Sequence, residues 1–216
     1  MFDIFFKILD YSEVWATIFP ILIWCIKKPK QDFLVPVKIY LLLAVILNIL
    51  IDLAYFEIFT DNNFLYNITS IFRLFSFMWF FALFNIPSDK KIQFALFFIA
   101  ASLITINFIF IDLFKSFSSK TFTLEGIMLI IFCVLYFLRK LKSDEISSSF
   151  DASLYIVTGL AVYEAVCFPI FLFYDMLIEK TKGYAVDIWN VHNIAYIVFC
   201  LFIARAFYGS FRRTGK

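Results

Sequence analysis

The chain has 216 residues, 63% of them hydrophobic and 22% aromatic, with a formal net charge of +2 and a mean hydropathy of +0.89. A soluble domain of this length has too little interior to hide that much apolar surface, so a water-soluble globule is excluded and an all-α, polytopic membrane protein is expected. The total charge says less than its distribution along the chain, and no nucleic-acid partner is expected.

A spanning helix needs about 20 mostly apolar residues. The opening "MFDIFFKILDYSEV" lacks a basic start and a small-residue cleavage site, so a cleavable leader is not expected. The first apolar segment is 11–26, followed by the polar connection "KKPKQD". Segments 33–56, 63–85 and 92–113 come next, the last two joined by "IPSDKK". The fifth, 123–138, reads as the shortest and most uniformly apolar, and "RKLKSDEISSSFD" leads from it to 153–175 and 185–208. The connections are too short and polar to fold separately. No internal repeat is visible, so residues 1–216 read as one seven-helix transmembrane domain. Cys25, Cys133, Cys167 and Cys200 all fall inside apolar segments, so no disulfide framework is implied.

Basic residues set the orientation. Lys27, Lys28, Lys30, Lys38, Lys90, Lys91, Arg139, Lys140, Lys142, Arg205, Arg212, Arg213 and Lys216 fall on one side. Only Lys7, Lys115, Lys120, Lys180 and Lys182 fall on the other, and Arg73 lies within a span. The amino terminus is therefore expected outside, the carboxyl terminus in the cytoplasm, and the protein in the cell membrane. Trp15 and Trp189 near the outer boundary and Trp24 near the inner one suit aromatic belts.

With that orientation, Asn48 and Asp52, Asn67 and Ser70, Asn107, and Asn190, His192 and Asn193 all fall in the outer half. Stretches such as "FMWFFALF" and "IVFCLFIA" leave the inner half nearly continuous hydrocarbon. Arg73 and Glu164 lie deeper, each roughly 15 Å below the end of its own segment. A charge at that depth pairs or lines water, so an Arg73–Glu164 pair is expected, with Asp52 as the competing partner for Arg73. Asn190 and Asn193 share a helical face from which His192, the only histidine, points away. Taken singly, such amides and hydroxyls also serve to fasten helices. Their clustering at one end is what marks Asn48, Asp52, Asn67, Arg73, Glu164, Asn190, His192 and Asn193 as candidate ligand-binding residues.

Several chemistries are disfavoured. The last segment has no lysine for a retinal Schiff base, and one histidine cannot ligate haem twice or supply a multi-histidine zinc site. No phosphate loop or nucleophilic triad is visible, so no catalytic residue, metal or cofactor is expected. Transporters usually show repeats and broken helices, whereas Gly126, Gly159, Pro20 and Pro169 are the only such residues deep in spans.

The "VHNIAY" opening of the last segment, the Phe-rich helices and the short basic tail "FYGSFRRTGK" resemble small bacterial seven-helix, receptor-like membrane proteins that accompany signalling kinases. That resemblance implies a sensor: a small ligand enters from the outer side, shifts helix packing, and a membrane partner such as a histidine kinase transmits the change. The partners expected are membrane lipid, such a ligand and such a kinase. A transporter or channel subunit with Arg73 and Glu164 on its pathway stays open, as does a structural subunit.

Overall fold

Long apolar runs bounded by helix-stopping signals dictate the architecture. The computed structural model describes residues 9, 11–53, 63–112, 117–142, 151–180 and 185–211. The loop at 143–150 and the tail beyond 211 lie outside them. Helix α1 spans Ser12–Lys27 and ends where Lys28 turns left-handed (φ 46°), its N–H donating to Trp24 O at 2.7 Å ahead of Pro29. A single 3-10 turn, Asp32–Leu34, leads into α2, Val35–Leu53. Helix α3 is Asn63–Leu83. Helix α4, Lys90–Ile106, is capped by the Asp89 side chain, which accepts from Lys91 N, and widens into a π-turn at Asn107–Ile111. Helices α5 (Ser119–Lys142), α6 (Ala152–Leu172), the short α7 (Tyr174–Lys180) and α8 (Ala185–Phe211) complete the chain. Asp151 caps α6 through Ser153 N and Leu154 N.

Six of these stretches are long and apolar enough to cross a membrane: Asp32–Leu53, Asn63–Leu83, Lys90–Ile111, Ser119–Lys142, Ala152–Leu172 and Trp189–Ser210. Helix α1, with 16 residues, reaches about 24 Å at 1.5 Å per residue, short of the roughly 30 Å hydrocarbon core. The fifth segment corrects the sequence reading of 123–138 as the shortest. Its helix has 24 residues, and α1 is the shortest of the seven long helices among the described residues. The polar start "SSKTFT" joins the helix because its hydroxyls bond locally: Ser118 Oγ accepts from Thr121 N, and Thr123 Oγ1 donates to Ser119 O. The sixth segment does not run through to 175, since the chain breaks at Phe173 before α7 begins.

Helices α1, α2, α3, α5, α6 and α8 close a ring, each packed on the next and α8 back on α1. Helix α4 stands outside it against α3. Of its most apolar 18 residues 17% are buried, against 44–56% in the other five spans. The tightest seam is α6–α8, where a Cβ on Gly159 would lie 2.5 Å from Phe202 Cβ. At the ring's basic end the interior is aromatic: Phe77, Phe80, Phe81, Phe199 and Phe207 are fully buried, and Phe81 stacks on Phe132 with centroids 5.4 Å apart.

Candidate functional site

The other end of the ring holds two connected polar layers. The deeper one centres on Arg73 of α3, which is 4% exposed. Its Nε and Nη2 grip both oxygens of Glu125 on α5, Nη2 at 2.8 Å from Oε2, while Nη1 donates to Tyr163 Oη on α6 at 2.7 Å. Ser70, one turn before Arg73, donates to Glu125 Oε2 as well. Glu164 is the more distant carboxylate, with Oε1 3.7 Å from Arg73 Nε. The bidentate partner is therefore Glu125 rather than Glu164, and Asp52 is no partner at all: it is half-buried at the end of α2, with Glu13 as its charged neighbour. A forked guanidinium takes the carboxylate that meets it side-on, and α5 presents one at that depth.

The outer layer is organised by Glu13, in the first turn of α1. Its Oε1 lies 3.1 Å from His192 Nε2, and His192 Nδ1 lies 3.3 Å from Cys167 Sγ. With the imidazole neutral, Nε2–H donates to the carboxylate and Nδ1 accepts from the thiol. The ring is held against Trp189, Phe171 and Tyr163 at centroid distances of 5.0, 5.5 and 5.6 Å. The Glu13 carbonyl accepts from Asn48 Nδ2 at 3.2 Å and from the Thr17 hydroxyl. A directional chain runs on from Thr17, which bonds Tyr196 Oη at 2.8 Å, and Tyr196 accepts in turn from Tyr40.

Other sequence candidates serve as fasteners. Asn67 Oδ1 accepts from Ser118 N, and Asn193 Nδ2 donates to Leu9 O, each within 3.1 Å. Asn107 Nδ2 donates to Ser118 Oγ and Thr121 Oγ1, tying the π-turn of α4 to the start of α5. Ser118 also donates to Asp112 at 2.7 Å. Burial pushes the Asp112 carboxyl up, but hydrogen bonds from Ser118 and Lys120 outweigh it and hold the group below the usual carboxylate range. Asn190 is buried, and its Nδ2 has no hydrogen-bond partner among the described residues.

Between the layers lies a cavity lined by Glu13, Asn48, Tyr66, Thr69, Arg73, Phe122, Tyr163, Trp189, His192 and Tyr196. About 20 Å³ of it is open to the centre of a water molecule, room for about one water. Asn48, Arg73 and His192 line it, whereas Asp52, Asn67, Glu164, Asn190 and Asn193 do not. Sequence reasoning missed Glu13, Glu125, Tyr40, Tyr163 and Tyr196. The acids carried a signal, each standing next to a long apolar run, but the tyrosines carried none. Among the described residues, no group of three or more His, Cys, Asp or Glu is placed to hold a metal ion.

An all-helical bundle with six helices suited to crossing a membrane defines the class, a multi-pass membrane protein. Comparison with family models, with curated proteins and with solved structures finds no match.

Proposed function

We propose that the protein is a seven-span, receptor-like sensor of the cell membrane, amino terminus outside and carboxyl terminus in the cytoplasm. It binds a small ligand at the outer polar cavity, whose walls part to admit anything larger than the one water they now leave room for, and signals through a membrane or cytoplasmic partner such as a histidine kinase. The observation that carries this reading is the cavity's lining. Each of the six ring helices contributes a residue: Glu13, Asn48, Arg73, Phe122, Tyr163 and His192 come from α1, α2, α3, α5, α6 and α8 in turn. A change of occupant there acts on every seam of the ring at once. The asymmetric basic residues support the orientation, and the aromatic packing beneath supports a closed cytoplasmic half.

Two labelling measurements test the proposal. Lys120→Cys and Lys90→Cys, both at exposed positions, should react with an impermeant thiol reagent from opposite faces in a background without native cysteines. Reaction from one face refutes the orientation. Thr69→Cys, on the cavity wall, should react from the amino-terminal face alone. The buried carboxyl pair beside Arg73 favours a second reading, a transporter or channel subunit with Arg73 and Glu164 on its pathway. Thr69→Cys reacting from both faces would select it.

A further inference from the structure

The carboxyl groups beside Arg73 outnumber it. Glu125 takes both forked guanidinium donors and the Ser70 hydroxyl. Glu164, 2% exposed, approaches Arg73 only at 3.7 Å, and its Oε1 has no hydrogen-bond partner among the described residues. Its other oxygen fills space that a side chain on Gly126 would need: a Cβ there would lie 3.3 Å from Glu164 Oε2.

The titratable and charged neighbours of the pair can be named helix by helix. Helix α3 supplies Arg73, α5 supplies Cys133, which acts on Glu164, as well as Glu125, α6 supplies Tyr163 and Cys167 as well as Glu164, and α2 supplies Tyr40, which faces Arg73. Helix α8 supplies His192, which acts on Glu125. Besides Arg73, His192 alone among these can become positive, and its Nε2 is engaged by Glu13. With both carboxyls ionised, the cluster would hold one unbalanced negative charge near the middle of the bundle, where an uncompensated ion is least tolerated. Two close carboxyls that share one counter-charge relieve it by retaining a proton between them.

We propose that the Glu125–Glu164 pair binds one proton at neutral pH, seated on Glu164, and that the outer cavity is the route by which it exchanges with water. The seat follows from the hydrogen bonds, because every donor that reaches a carboxylate here, from Arg73 Nε and Nη2 and from Ser70, goes to Glu125, while Arg73 Nη1 goes to Tyr163. The route follows from the lining: Arg73 and Tyr163 face the cavity from below, and Glu13, 18% exposed, faces it from above. The inference goes beyond the sensing role and does not depend on it, since a transporter built this way would hold the same proton.

Infrared spectroscopy of the protein in lipid nanodiscs at neutral pH reads the proton directly. One protonated carboxyl band is expected, moved by carboxyl-¹³C labelling of glutamate and unmoved by labelling of aspartate. Glu164→Gln and Glu125→Gln should each abolish it, because either leaves one carboxylate for one guanidinium. Arg73→Met should double it. The absence of a glutamic acid band in the wild type, its survival in Glu164→Gln, or its loss on adding sodium would overturn the proposal. The wild-type labelled spectrum decides even if a variant fails to fold. Thr69→Phe, which fills the cavity, should slow the band's shift in deuterium oxide, and an unchanged rate would overturn the route. A band that behaves as described while Thr69→Cys reacts from both faces would keep the proton and discard the sensor.

Discussion

Phe77, Phe80, Phe81 and Phe199 fill one end of the ring, while Arg73, Glu125, Tyr163 and His192 fill the other. The aromatic end is held by shape: its rings need only volume and contact, and any one of them is supported by several neighbours. The polar end is held by direction, each group having one or two specified partners across the ring. A loss at the aromatic end therefore scales with the volume removed. At the polar end it scales with the charge or hydrogen bond left unanswered.

The sharpest way to break that distinction is at Arg73. Arg73→Met or Glu125→Leu alone should cost about 3–5 kcal/mol, since each removes one partner of the buried forked pair and leaves the other's hydrogen bonds unanswered, and the double variant should recover part of the loss. Thermal unfolding in nanodiscs reads this directly, and additive losses would refute the pair. Glu164→Leu should cost clearly less than Glu125→Leu, because Glu164 answers no hydrogen bond from the guanidinium. The next effect belongs to shape alone. Gly159→Ala drives a methyl into Phe202 and should cost roughly 1–3 kcal/mol in the same assay, whereas Gly126→Ala, whose nearest contact is 3.2 Å, should cost less.

Asn193→Leu leaves the Leu9 carbonyl without its donor, a loss of about 1–3 kcal/mol. His192→Gln should cost less than Asn193→Leu yet change the response to ligand or its pH dependence; equal losses with unchanged signalling would make His192 a fastener too. The smallest effect lies at the rim. Burial pushes the Asp151 carboxyl up, but Lys140, Ser153 and the Leu154 N–H outweigh it and hold it below the usual range. With a folded value below the unfolded one, its contribution is complete above the unfolded carboxylate range, about pH 4. It is lost as pH falls through the lowered value. Asp151→Ala should cost about 1 kcal/mol as a lost cap, and Asp151→Asn should flatten the acid limb of a thermal-shift titration.

Much of the fold was legible because long apolar runs allow little else in a membrane. The ends were less so. Residues 118–122 fell outside the expected segment 123–138, although hydroxyls that bond within the turn let a helix start there. Arg73 and Glu164 stood out as charges in apolar runs, while Glu125 and Glu13 sit near the starts of theirs and were not singled out. Tyr40, Tyr163 and Tyr196 could not be told from core aromatics, since what distinguishes them is a partner on another helix. Nor could sequence set α4 apart. It is as apolar as Asp32–Leu53 yet far less buried, because hydropathy records compatibility with lipid and is silent on neighbours.

The missing side chain at Gly159 has a mechanical consequence. With α6 and α8 closer at that point than any Cβ permits, sliding or rotation of one against the other would bring a side chain into that contact, so the two are expected to move together. Whatever rearrangement the bundle undergoes must be taken up at other seams, with α4 the least constrained partner. Paired spin labels on α6 and α8 would then keep a constant separation in every state, an internal ruler against which displacement of each remaining helix can be measured.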